Sequence, residues 1–292
     1  MSEPPALSVV IPALNAEAHL GDQLDALAAQ TFAGRFEVIV ADNGSTDATV
    51  RIVEAHRLAR DGVARVVEAR GRTGVNAARN AGAAVAAAPV VCCTDADDVV
   101  APGWLASFAV AFAGRTHQRV VASGLIDPRP LAPERFARVQ PWSGGHPTTA
   151  GGVPWSYGTS MAFSQAAWHD LGGFDESYTG GGDEIEFFVR AHRRGHVHVI
   201  ASDAVVHYRS RTTRSARFRQ MRLRGAGNRR LAEDFPEEVA GAGRCPPLRS
   251  RSVVCSTAAR FRDEPFGVAL QLGLDQMALH LGELDHHRSR SR

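Results

Sequence analysis

Three aspartates crowd one short stretch of this chain. Asp95, Asp97 and Asp98 close the run Val90-Val91-Cys92-Cys93-Thr94-Asp95-Ala96-Asp97-Asp98. Carboxylates this close repel one another, and a hard, oxygen-seeking cation relieves the repulsion. The apolar residues before them, with Pro89 as a breaker, read as a buried strand. Carboxylates at the carboxyl end of such a strand stand where open α/β sheets bind ligands. A polar turn leading into a helix near Pro102 accounts for the same residues without any ligand. Asp42 closes a second apolar run, Phe36-Glu37-Val38-Ile39-Val40-Ala41. There it accepts hydrogen bonds from a base or ribose, or simply belongs to the capping turn Asn43-Gly44-Ser45-Thr46-Asp47.

Two more stretches carry polar groups at similar places. Pro12-Ala13-Leu14-Asn15 ends a first apolar run, and its backbone is free to meet a nucleotide or to connect strand to helix. Gly74-Val75-Asn76-Ala77-Ala78-Arg79-Asn80 opens an alanine-rich helix. Gly74 permits close backbone approach, and Arg79 pairs with a phosphate, with the acids, or with solvent.

The elements that position these groups alternate in type. Leu7 to Ile11 predicts a strand. Leu20, Leu24 and Leu27 recur at helical spacing, with Asn15 as the expected cap. Residues 36–41 predict the second strand, and Val50, Val53 and Leu58 the helix after it. A strand at Val63 to Val67, a helix at Gly74 to Ala87, the acidic strand, a helix near Trp104 to Phe112 and a strand near Val120 follow. Strand and helix in alternation imply a mostly parallel sheet, covered on both faces. From Asp127 to Thr159 the pattern dissolves into a long loop holding Trp142, His146, Trp155 and Tyr157. A helix from Asp183 to Arg194 and extended segments at Val197 to Ile200 and Val205 to His207 restore order. Nine arginines then fall between Arg209 and Arg230, and an amphipathic helix is expected at Pro265 to Leu281.

Composition narrows the class. Net charge is +2, so the whole molecule is no polyanion binder and nucleic acid is not an expected partner. Every basic residue is arginine, which excludes Schiff-base and P-loop lysine chemistry. Cys92, Cys93, Cys245 and Cys255 form no Cys-x-x-Cys zinc pair. No stretch approaches the roughly 20 apolar residues of a membrane span. Met1 to Pro5 lacks the basic and apolar regions of a signal peptide, and a cytoplasmic location is the expectation.

In this order and spacing the motifs resemble the family 2 glycosyltransferases of the GT-A fold. The resemblance rests on Val9-Val10-Ile11-Pro12-Ala13-Leu14-Asn15, on Asp42 to Asp47, and on Gly74 with Ala78-Arg79-Asn80. It continues through Asp95-Ala96-Asp97-Asp98, Gly172-Gly173-Phe174-Asp175-Glu176 and His207. It implies a GT-A nucleotide-diphospho-sugar transferase fold, a mixed, mostly parallel sheet flanked by helices. The catalytic domain would span 1–210, with an Arg-rich, partly helical C-terminal extension over 211–292. It also implies a nucleotide-diphosphate-sugar donor and a divalent metal, Mn²⁺ or Mg²⁺. The donor-binding set then runs through Pro12, Ala13, Asn15, Asp42, Gly74, Arg79, Asp95, Ala96 and Asp97. Within it Asp42 would hold the nucleobase, Asp95 the ribose, and Asp97 the metal on the diphosphate, with Asp98 in support. His207 resembles the family's late metal ligand. A cation on the phosphates stabilises the charge that the leaving diphosphate gains.

The acceptor hydroxyl must also lose a proton. Family members commonly show Glu-Asp after the glycine-rich turn, with the aspartate as base. Gly180-Gly181-Gly182-Asp183-Glu184-Ile185-Glu186 reverses the pair, so Glu184 takes the base position with Asp183 beside it. Both acids also suit a helix N-terminus, and Glu186 faces elsewhere. A single base opposite the leaving group implies inversion. Arg209, Arg211 or Arg214 would contact the diphosphate; an anionic acceptor, a peripheral membrane contact through this Arg-rich segment, or a solvated helix face are the other readings. The acceptor is left open among small molecule, glycan and lipid-linked species. Two other functions use similar parts: a nucleotidyltransferase making nucleotide sugars, and a non-catalytic sugar-nucleotide-binding protein. No Gly-x-Gly-x-x-Gly follows the first strand, which removes a dinucleotide-dependent reductase.

Overall fold

The computed structural model describes residues 3–69, 71–131, 146–149, 151–211, 213–239 and 274–285. The strands are β1 Leu7–Ala13, β2 Phe36–Asp42, β3 Ala64–Glu68, β4 Val90–Cys93, β5 Val99–Val100, β6 Val120–Asp127, β7 Met161–Ser164 and β8 Val197–His207. They form one 8-stranded sheet in the order β3-β2-β1-β4-β7-β6-β8-β5. The β3-β2-β1-β4 half is parallel throughout. β7 runs antiparallel to β4 and β6, and β5 antiparallel to β8, while β6 and β8 are parallel. The sheet is therefore mixed and mostly parallel, as the motif order implied.

Strand alternation divides the core in two. Val9, Ile11, Val38, Val40 and Cys92 face one side of the sheet, with Leu20, Leu24 and Leu27 of α1 (Leu20–Ala28) and Val53 of α2 (Thr49–Ala55). The short α3 (Arg57–Arg60) adds Leu58, and α5 (Trp104–Phe112) adds Trp104, Phe108 and Phe112. The intervening residues Val10, Ile39, Val91 and Cys93 face the other side. There they meet Ala83 of α4 (Val75–Ala84), Leu171 of α6 (Gln165–Leu171), and Phe187 and Phe188 of α7 (Asp183–Arg193). Each fully buried Leu, Val or Phe contributes about 1.5–3 kcal/mol, against about 0–1 for an exposed ion pair. The two apolar layers, not the surface charges, hold the sheet. Beyond it lie α8 (Arg214–Asp234) and α9, residues 274–285. No helix among the described residues is long and apolar enough to cross a membrane.

Several expectations need adjustment. The two extended segments after α7 are one 11-residue strand, β8, with a register irregularity opposite Ser123 and Leu125. α4 ends at Ala84 rather than Ala87. Asn15 does not cap α1: it has a left-handed φ of 51°, and α1 starts at Leu20 with no side-chain cap. Of the helix expected at Pro265 to Leu281, residues up to 273 lie outside the described residues, as does Trp142.

α4 ties the fold's two halves together. Asn80 on its buried side accepts from the Phe174 N–H at 2.8 Å and donates to the Phe174 carbonyl at 2.9 Å. It also donates to the Glu176 carboxylate at 2.9 Å. Asn76 donates to the Asp175 carbonyl at 2.8 Å. The Gly172-to-Glu176 motif thus docks on α4 and sets where α7 begins. Glu186 and Arg190 of α7 pair with each other, and Arg190 also donates to the Leu171 and Gly173 carbonyls at 2.8 and 2.9 Å. Asn80→Ala leaves the Phe174 N–H without an acceptor and is expected to cost about 2 kcal/mol, read as a lowered denaturation midpoint.

Candidate active site

The turns after β1 and β2 are laced to each other. Asn15 Oδ1 accepts from the Thr46 N–H at 2.8 Å, and the Asn15 N–H donates to Ser45 Oγ at 2.9 Å. Glu17 N–H donates to Asp47 at 3.0 Å, and Ala48 N–H donates back to Glu17 at 3.0 Å. These bonds fix the carboxyl edge of the sheet before any ligand arrives. Asp42 belongs to this lacing, its carboxylate accepting from the Gly44 and Ser45 N–H groups at 3.2–3.3 Å. Asn43 reaches onward, accepting from the Gly74 N–H at 2.7 Å.

The acidic turn is gripped from behind. Fully buried Gln23 donates to Thr94 Oγ1 at 2.7 Å and to the Asp95 carbonyl at 3.1 Å, and accepts from the Val100 N–H at 3.0 Å. Asp98 points inward, accepting from Thr159 Oγ1 at 2.6 Å and from the Arg209 N–H at 2.7 Å. Burial, with Asp95 and Asp97 nearby, pushes the Asp98 carboxyl well above its usual range. Asp95 and Asp97 face outward into a cleft of about 730 Å³. Burial lifts the Asp95 carboxyl to about 6 against the pull of Arg79. Asp97 is held by Arg211, whose Nη1 lies 2.7 Å from its carboxylate.

Arg79 joins this edge to the helix opposite. Only 3% of its side chain is exposed. Its Nη1 lies 2.5 Å from Asp183 Oδ2, and its Nη2 3.6 Å from Asp95 Oδ1. Burial opposes its charge, yet Asp183 and Asp95 raise its affinity for the proton overall. Gly158 gives it room: a Cβ there would lie 2.2 Å from Nη2. Burial raises the Asp183 carboxyl, but the charge and hydrogen bond of Arg79 and a hydrogen bond from Glu184 together bring it below its usual value. Glu184, half-buried on the cleft wall, goes the other way. Burial first, then the charge of Asp183 and its hydrogen bond, lift Glu184 to about 8.

α8 closes the cleft. Gln220, Arg224 and Asn228 line it at four-residue spacing, one stripe of a helix face. The glycine turn before α7 packs directly on this helix. A Cβ on Gly181 would lie 2.8 Å from the Arg224 Cα, and one on Gly227 2.0 Å from the Gly181 carbonyl oxygen. Other arginines of the run are committed to pairs, as Arg217 to Asp275 of α9 at 2.8 Å and Arg230 to Asp234 at 3.2 Å.

Of the expected site residues, Pro12, Asn15, Arg79, Asp95, Ala96, Asp97, Asp183 and Glu184 line one cleft. Ala13, Asp42, Gly74 and His207 do not. His207 sits at the end of β8 in register with Asp127 and Val99. Among the described residues, no three His, Cys, Asp or Glu side chains converge on a metal position. Sequence reasoning missed the α8 stripe. The signal for it was the four-residue spacing of Gln220, Arg224 and Asn228 inside the arginine run. Trp155 and Tyr157, from the long loop, also line the cleft.

The family model described as glycosyl transferase family 2 matches residues 8–163. The chain belongs to glycosyl transferase family 2, a glycosyltransferase on the GT-A fold. Among curated proteins, Validoxylamine A glucosyltransferase of Streptomyces hygroscopicus subsp. limoneus is 33% identical over 224 residues, 66% of this chain and 49% of that protein. The protein of the same name from S. hygroscopicus subsp. jinggangensis strain 5008 is also 33% identical over 224 residues, 53% of its length. The chain thus spans about half the length of the curated relatives it matches. Among solved structures, the mannosyltransferase PcManGT from Pyrobaculum calidifontis, in complex with GDP-Man and Mn²⁺, has a TM-score of 0.69 at 20% identity, covering 98% of this chain and 88% of that one. S. aureus TarS 1-349 in complex with UDP-GlcNAc gives 0.56 at 17% identity, covering 97% and 92%.

Arg79→Ala would leave Asp183 buried without its counter-charge. The expected loss is about 3 kcal/mol, read from denaturant midpoints.

Proposed function

We propose that this chain transfers a sugar from a nucleotide-diphosphate-sugar donor to an acceptor hydroxyl, with inversion at the anomeric carbon. The observation that carries the reading is the split fate of Asp183 and Glu184. Arg79 consumes Asp183, whereas Glu184 stands on the cleft wall with its proton affinity raised to about 8. A carboxylate of that basicity suits proton removal near neutral pH. One base attacking opposite the leaving group gives direct displacement. The structural neighbours hold GDP-Man and UDP-GlcNAc in their complexes, which supports a nucleotide-sugar donor here.

The donor diphosphate lies in this reading along the acidic turn. Asp95 and Asp97 offer hard carboxylate oxygens to the cleft, a set that fits Mn²⁺ or Mg²⁺. Such ions take one or two carboxylates and complete their shell from the substrate phosphates, so three converging side chains are not required. Asp97 with Asp95 would hold the cation. When bound it supplies positive charge to the departing diphosphate. Mn²⁺ in the PcManGT complex supports this choice. Arg211, now on Asp97, would bind a diphosphate oxygen as well. Pro12, Asn15 and Ala96 flank the donor along the same edge. The name of the curated relatives makes validoxylamine A their acceptor, which favours a small-molecule acceptor for this chain.

Glu184 must lose its proton before it can accept another. The kcat/KM profile is therefore expected to rise with pH and level off above a midpoint of about 8. Glu184→Gln is expected to lower kcat by about 10²–10⁴-fold with the donor KM little changed, and retention of configuration in the product would remove the base role. Nucleotide sugars with Mn²⁺ are expected to raise the melting temperature of the protein, and Asp97→Asn to cancel the metal-dependent part of that rise.

A further inference from the structure

The cleft has a side chamber. It measures about 190 Å³ and shares Trp155, Ile185 and Asn228 with the main cleft. Ile185 follows Glu184 directly, so the chamber opens one residue beyond the proposed base. Leu231 of α8 and Val239 form its far wall. Thr148 and Thr149 form the third side.

Backbone and side-chain bonds tie Thr148 and Thr149 to residues 153 and 154. Thr148 pairs with Pro154 in an isolated bridge, and the Thr149 N–H donates to the Val153 carbonyl at 2.8 Å. Thr149 Oγ1 accepts from the Val153 N–H at 3.0 Å, and a hydroxyl that accepts keeps its proton to donate. Asn228 brings an amide with both donors and an acceptor. The indole of Trp155 is fixed edge-on against Tyr157, centroids 5.1 Å apart. No described residue lining the chamber is ionisable. The cleft's charges, Arg224 included, lie outside it.

We propose that this chamber is the acceptor subsite and that it takes a single uncharged, polyhydroxylated ring. The proposal rests on Glu184 being the base. An aromatic wall, aliphatic side chains and a few fixed hydroxyl and amide groups suit a ring with apolar faces and a polar rim. A charged substituent would shed its water and find no counter-charge among the described residues that line the chamber. The volume lies below the roughly 300–1,000 Å³ of pockets for drug-sized ligands, so one ring enters and an oligosaccharide or lipid tail does not.

The test compares acceptors and separates the acceptor from the donor. With UDP-glucose, UDP-GlcNAc and GDP-mannose as donors, transfer to methyl β-D-glucopyranoside and myo-inositol is measured, just below neutral pH so that the amine stays protonated, against glucose 6-phosphate and glucosamine. Hydrolysis of each donor alone is followed in parallel. The neutral rings are expected to exceed the charged ones by about tenfold or more in kcat/KM. Thr148→Phe, at an exposed position, narrows the chamber and is expected to raise the neutral acceptor KM about tenfold while donor hydrolysis stays within about twofold. Should that variant melt early, Asn228→Asp keeps the side-chain volume, adds an anion to the chamber, and is expected to shift preference toward glucosamine about fivefold or more. Equal use of charged and neutral acceptors would overturn the proposal. So would an unchanged acceptor KM in folded Thr148→Phe, or an unchanged preference in Asn228→Asp. Absence of both transfer and donor hydrolysis with every donor in the unsubstituted enzyme would instead remove the function proposed above, and this subsite with it.

Discussion

A guanidinium in the interior is the constraint around which the site is arranged. Burying Arg79 is unfavourable unless carboxylates neutralise it, and two do, from opposite sides of the cleft. Asp95 comes from the strand edge and Asp183 from the helix that follows the glycine turn. Neither contact is replaceable by a shorter or more flexible cation, because the planar fork must reach both at once. The consequence is electrical as well as mechanical. By absorbing Asp183, the arginine leaves Glu184 as the remaining acid of the pair, and burial, with the negative neighbour, holds that acid's proton on more tightly. Two adjacent carboxylates thereby acquire different tasks from their surroundings.

Much of the fold was legible because its signals are local. Apolar runs closed by Pro12, Asp42 and Asp95 mark strands that end at one edge, and the leucines of α1 mark a covering helix. The acidic turn could be read the same way. Contacts between distant residues were not legible. Arg79 and Asp183 lie 104 residues apart, and nothing near Arg79 in the chain distinguishes that partner from a phosphate. Asn15 has the type of a helix cap, but tertiary bonds to a turn 30 and 31 residues away outcompete that local role. The antiparallel insertion of β7 between β4 and β6 is a pairing choice that no single segment encodes.

The C-terminal region shows the same limit from the other direction. α8 reads as a polar, arginine-rich helix, and such helices are ordinarily solvent-facing. Its arginines instead divide among partners: Asp275 on α9, Asp234 within the helix, and the cleft for Arg224. A helix of this composition can serve as a wall because ion pairs and close backbone packing add to the few apolar contacts made by residues such as Leu231.

The near-contact of Gly227 with Gly181 therefore has a bearing on how such enzymes diversify. Main chain rests on main chain there, so the seam tolerates no added side chain. The positions projecting from the same helix into the cleft, 220, 224 and 228, carry no such restriction. Of these, position 228 also lines the proposed acceptor chamber, so exchange there would alter which ring is accepted while the glycine seam between wall and chemistry stays as it is.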